Sequence, residues 1–132
     1  MNRHDDASDF QTVYSIRLHE RAISDIDLAY LRFADLVSRK IANEWLDGIK
    51  ESISDLSFNP RRFGLVPEKF NLEVRQILFR SSGSQATYCI IFTISGEEQD
   101  TRDAPMVTVL HVRHSVSRPI SRNLARQIVS EE

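Results

Sequence analysis

A single cysteine, Cys89, stands among the 132 residues. It excludes an internal disulfide and most cysteine-based metal sites, and a reducing cytoplasm is the expected compartment. Glycine and proline are scarce, at four each. Gly83 stands alone in its turn, so there is no glycine-rich loop to cradle a phosphate. No apolar run approaches the roughly 20 residues that cross a bilayer, so no membrane partner is expected. The first eleven residues hold Asp5, Asp6 and Asp9 without an apolar stretch. They are expected to form a disordered N-terminal extension rather than a secretory signal. What remains is 41% hydrophobic and 27% charged, ordinary for a folded domain with room for one core. Residues 12–132 are therefore expected to form a single domain.

The net charge of −2 conceals blocks of opposite sign. Residues 1–56 hold seven basic and eleven acidic side chains, and residues 97–105 hold four acids against Arg102. Between them, Arg61, Arg62, Lys69, Arg75 and Arg80 face only Glu68 and Glu73. Beyond them, Arg113, Arg118, Arg122 and Arg126 have no acid until the terminal Glu131 and Glu132. The alternation favours an anionic partner meeting the C-terminal half; a solvated arginine surface is the bland alternative.

Thr12 to His19 alternates with period two, as a half-buried strand does. From Glu20 to Ser38 the period lengthens: Ile23, Ile26, Tyr30, Phe33 and Val37 recur every three or four residues, along one helical stripe. After a break near Ser38, Ala42, Trp45, Ile49, Ile53 and Leu56 mark a second helix that ends before Asn59-Pro60. Two amphipathic helices with so short a connection form an antiparallel hairpin. Three strands follow: Val74–Arg80, Thr87–Ser95 and Met106–His114. The middle one, apolar on both faces, is a central strand. Ile120, Leu124 and Ile128, behind Ser117 and Pro119, indicate a final helix. The expected fold is α+β, in the order β-α-α-β-β-β-α, with a helical hairpin covering one face of an antiparallel sheet.

Little in the chain suggests metal or nucleophile chemistry. His111 and His114 have metal-like spacing, but residues three apart on a strand point to opposite faces. No third ligand completes a site, and neither a metal nor a cofactor is expected. Cys89, mid-strand among isoleucines, is core. Ser81 and Ser82 have no histidine–acid relay and belong to a turn. More suggestive is the basic set Arg75, Arg80, Arg113, His114 and Arg118, on or just beyond neighbouring strands. Arginine clusters take phosphates or carboxylates by forked hydrogen bonds. Strand alternation lets at most about half of this set converge.

Several segments, in order, resemble the RelE/ParE superfamily of toxins. They are Tyr14 to Leu18 with Glu20-Arg21-Ala22 and Asp25-Ile26, the second helix ending in Leu56 and Asn59-Pro60-Arg61, and Glu73 to Leu78. Tyr88 to Ile94, and Val109 to His114 with Arg118-Pro119, complete the pattern over roughly residues 12 to 120. The resemblance implies the toxin of a type II toxin–antitoxin pair, as in plasmid-stabilisation modules, with growth inhibition as its effect and a cognate antitoxin as its partner. ParE-like members poison DNA gyrase without cutting anything; RelE-like members cut mRNA, generally on the ribosome. For the nuclease reading, Arg80-Ser81-Ser82-Gly83 resembles the arginine-bearing turn of RelE-like enzymes, and His114 stands where a basic residue ends the last strand. Arg80 would then stabilise the phosphate and His114 act as acid or base. Against it, Cys89 replaces an arginine common after the third-strand tyrosine, no tyrosine follows Tyr88, and the lysine-rich second helix is missing. A pI near 6.1 also differs from the strongly basic character of proteins that grip ribosomal RNA. The expectation is a ParE-like toxin that binds a protein target such as gyrase. The mRNA interferase and a non-toxic binding module are the alternatives. Arg75, Arg113 and Arg118 are the expected contacts to target or antitoxin.

Overall fold

In the computed structural model, residues 12–67, 72–80, 87–96 and 105–115 are described. They form strand β1 (Ser15–Leu18), helices α1 (Glu20–Leu36) and α2 (Arg39–Ser54), and strands β2 (Val74–Phe79), β3 (Tyr88–Ser95) and β4 (Met106–His114). Two 3₁₀ turns, Asp55–Ser57 and Pro60–Arg62, follow α2. The expected final helix, the N-terminal extension and Arg118 lie outside the described residues.

The helix boundaries have local chemical causes. His19 ends β1 in extended backbone, and its ring Nδ1 accepts from the Arg21 N–H at 3.0 Å, capping α1. Ser38 caps α2 by accepting from the Ile41 N–H at 3.1 Å. The Val37 and Ser38 N–H groups both donate to the Phe33 carbonyl, so α1 stops and α2 starts within two residues. After α2, Asn59 takes the left-handed conformation (φ 47°), which asparagine tolerates better than most residues, immediately before Pro60.

The four strands are ordered β1-β4-β3-β2. β2, β3 and β4 are antiparallel neighbours as expected, but β1 pairs parallel to β4, so the sheet is mixed. The cause is the path of the hairpin. α2 returns the chain to the end of the sheet where β1 began, and there the Tyr14 N–H donates to the Ser57 carbonyl. β2 therefore sets off in the same direction as β1, and β4, two antiparallel steps later, does too.

Ala22, Ile26 and Ala29 of α1 and Trp45, Ile49 and Ile53 of α2 pack on Ile77, Tyr88, Ile90, Phe92, Val107, Val109 and Val112. Trp45 has no solvent exposure and lies at the centre of an aromatic group, 5.4 Å from Phe33 and 5.2 Å from Tyr88 between ring centroids. Fully burying side chains of this size contributes about 1.5–3 kcal/mol each. On the opposite face Val66, Val74, Cys89 and Ile91 form a second, smaller cluster, so Cys89 is core, as the sequence indicated.

β1 is short and stops opposite Val109, where the His19 N–H donates to the Val109 carbonyl at 2.9 Å. Immediately beyond, β4 carries an irregularity at Leu110, between the pairs Ile91–His111 and Phe92–Val109. There α1 replaces the missing strand. The Asp25 carboxylate accepts from the Val112 N–H at 2.9 Å and is hydrogen-bonded to His111 Nδ1.

Candidate functional site

The register gathers part of the expected basic set. Phe79, Tyr88 and His114 form one row across β2, β3 and β4. Their backbones therefore span about 10 Å at the usual strand spacing. Arg80 follows Phe79 directly and is exposed, while Arg113 precedes His114 and pairs in register with Cys89. The Ser115 N–H donates to the Thr87 carbonyl at 2.7 Å, closing this end of the sheet. Arg80, Arg113 and His114 thus share one rim, although alternation places Arg113 and His114 on opposite faces.

Tyr88 organises the rim. It is 7% exposed and meets the His114 ring edge-on, with centroids 5.3 Å apart. Trp45 and Phe33 pack behind it. Burial pushes the Tyr88 phenol above its ordinary pKa, and the positive charge of Arg32 on α1 partly offsets that. Arg32 is exposed and is therefore a further cation of this rim. The sequence carries no signal for it: on an amphipathic helix it is one polar residue among many on the solvent side.

Arg75 is placed elsewhere. It lies on the same face as the helices, opposite Phe92, near the end of the sheet remote from His114. Its Nε donates to Glu73 at 2.7 Å, and its Nη1 donates to the carbonyls of Phe63 at 2.6 Å and Arg61 at 3.4 Å. Arg61 holds the same carboxylate in a fork, with both bonds at 2.8 Å. These contacts, Arg61's first, hold the Glu73 carboxyl below its ordinary pKa against an opposing effect of burial. Arg75 fastens the loop after α2 to β2, and it does not join the rim. Arg62, though exposed, is also engaged within the chain: it donates to the Phe58 and Asn59 carbonyls and stacks over Phe63 at 4.4 Å.

His111 and His114 point to different partners, Asp25 and Tyr88. Among the described residues no group of three potential ligands could hold a metal. No described helix is long and apolar enough to cross a membrane. A concavity of about 450 Å³ lies where β1 passes into α1, lined by Arg17, Leu18, His19 and Glu20. Among the described residues, none of the expected site residues lines it.

This arrangement, a helical hairpin on a four-stranded sheet with cations at the open end of β2 and β4, is the RelE/ParE-like α+β fold. The chain superimposes with a TM-score of 0.57 on a chain of the chromosomal ParDE toxin–antitoxin system of P. aeruginosa. The match covers 77% of this chain and 96% of that one, at 16% sequence identity. No family model matches the sequence, and no curated protein matches it either. The likeness is one of fold.

Proposed function

We propose that this protein is the toxin component of a type II toxin–antitoxin system, ParE-like, acting in the cytoplasm by binding a protein target such as DNA gyrase. A single observation carries the reading: nearly the whole of a chain from a ParDE system finds its counterpart here, at 96% coverage. The chemistry of the rim is consistent with it. Its cations come from separate elements that meet at one end of the sheet, which suits a surface that meets a charged partner. A cognate antitoxin is the expected partner, and plasmid stabilisation the expected setting. Arg113 and Arg118 remain the proposed contacts, with Arg118 outside the described residues. Induced expression in a bacterial host should arrest growth; unimpeded growth with soluble, folded protein present would refute the toxin reading.

One observation favours a second reading, an mRNA interferase. Arg80 directly follows Phe79, whose row through Tyr88 to His114 crosses three strands, so a cation and an acid or base reach the same end of the sheet. Under that reading Arg80→Ala should lower a cleavage rate by about 10²–10³, the usual loss when one group that stabilises transition-state charge is removed. An unchanged rate refutes the assignment.

A further inference from the structure

The face of the sheet turned away from the helical hairpin is closed to water. Val74, Thr93 and Thr108 form a row on this side across β2, β3 and β4, and Cys89 and Ile91 of β3 stand on the same side. All five are buried, Ile91 to 1% exposure and Thr108 to 2%. Side chains on a sheet reach such burial only beneath a second layer, and α1 and α2 lie on the other face. Among the buried residues described, only Val66 joins this cluster from outside the strands. Its N–H donates to the Val74 carbonyl, so it lies along the outer edge of β2. From there to Thr108 on β4 is roughly 14 Å at the usual strand spacing, and Val66 cannot cover that strand.

The rest of the chain must supply the cover, and composition separates its segments. Residues 97–104 hold Glu97, Glu98, Asp100 and Asp103 and no large apolar side chain; residues 81–86 hold none either. Residues 1–11 offer Met1 and Phe10, and residues 68–71 offer Phe70 alone. Residues 116–132 differ. Ile120, Leu124 and Ile128 recur every four residues, and Arg122 and Arg126 fall on the opposite side of the same helical pattern. This segment leaves the sheet directly after Ser115, whose N–H donates to the Thr87 carbonyl beside β3. A helix from Pro119 to Ser130 would span roughly 18 Å at 1.5 Å per residue. Four strands are crossed in roughly 14 Å, so the length suffices.

We propose that the C-terminal segment, residues 119–130, which lies outside the described residues, crosses this face as a helix. Ile120, Leu124 and Ile128 would rest on Cys89, Ile91 and Thr108, and Arg122 and Arg126 would point to water. The middle of the face is then interior and closed to a nucleic acid or a second protein. Partners meet the chain at the rim, at the outer side of the hairpin and at the two outward arginines. The inference stands apart from the toxin reading, since it rests on burial and chain length alone.

Two single residues make the test direct. Cys89, the one cysteine, reports on the covered face, and Trp45, the one tryptophan, reports on the core beneath the helices. The full chain is labelled with a maleimide under native conditions, and modification is followed by mass spectrometry. Ile120→Asp and Leu124→Asp should each speed modification of Cys89 by roughly thirtyfold or more, with Trp45 emission as in wild type. Arg122→Ser and Arg126→Ser should leave the rate unchanged. Amide hydrogen exchange of the wild-type chain needs no variant. The amides of residues 121–129 should exchange about 10²-fold or more slowly than those of an unstructured peptide. Should a stripe variant unfold, as a changed Trp45 emission would reveal, the exchange measurement decides by itself. Unchanged Cys89 labelling in folded stripe variants, exchange of residues 121–129 at the unstructured rate, or acceleration by Phe10→Ser or Phe70→Ser in place of the stripe variants would each overturn the proposal.

Discussion

Gly48→Ala sets two effects of known size against each other. Gly48 lies inside α2, where alanine should gain roughly 0.8–1.0 kcal/mol from helix propensity alone. Yet a Cβ at this position would sit 2.3 Å from Cζ and 2.7 Å from Cε1 of Phe79. Carbon atoms prefer about 3.5–4.0 Å, so either the ring or the helix must shift by more than about 1 Å. Phe79 packs against the main core and leads into the rim through Tyr88 and Arg80. Its ring therefore cannot swing away without opening that packing. Overpacking of this kind costs about 1–3 kcal/mol. The steric cost exceeds the helical gain, and the variant should be less stable by roughly 1 kcal/mol, a fall in Tm of roughly 3–6 °C for a chain of this size. Phe79→Leu shortens the obstructing ring. A double-mutant cycle measured by urea unfolding should therefore show Gly48→Ala becoming neutral or stabilising in that background, a coupling of about 1–2 kcal/mol. A Gly48→Ala protein more stable than wild type, with no coupling to Phe79, would refute the reasoning.

Three further outcomes follow from the same geometry. The folded-state pKa of Glu73 is depressed by Arg61 and Arg75, so its contribution is fully present above the ordinary value of 4.5 and disappears as pH falls through the lower folded value. Thermal melts should lose stability across that acidic window, and Glu73→Gln should flatten that part of the profile; an unchanged profile would contradict the ion-pair assignment. Asp25→Ala leaves the Val112 N–H and His111 without their shared acceptor and should cost about 1–3 kcal/mol in chemical denaturation, whereas Asp27→Ala, on the exposed side of α1, should cost little. If the rim binds protein rather than cutting RNA, Arg80→Ala should weaken growth inhibition, and purified protein should leave RNA intact on gels.

Much of the fold was legible in periodicity. The switch from alternation to three-or-four spacing at Glu20, the stop at Asn59-Pro60 and the doubly apolar run from Tyr88 to Ile94 each reflect local chemistry. What periodicity does not carry is pairing between distant strands. The parallel union of β1 with β4 depends on where the hairpin returns the chain, which spacing along the sequence does not record. The site was legible to a similar depth. Arg80 and His114 lie at strand ends, and the antiparallel register brings them to one rim. Arg75 has the same residue type and the same strand, yet its partner Glu73 and the Phe63 carbonyl hold it at the far end. Residue type alone cannot separate a guanidinium that braces a loop from one that awaits a partner. Arg32 was hidden for the converse reason: only the packing of Phe33 against Tyr88 and Trp45 shows that this turn of α1 lies over the rim.

The most direct test of the functional account is a supercoiling assay with purified DNA gyrase and relaxed plasmid. The account predicts that the purified chain inhibits supercoiling in a concentration-dependent manner while RNA added to the same reaction stays full length. Unaffected gyrase together with degraded RNA would contradict it.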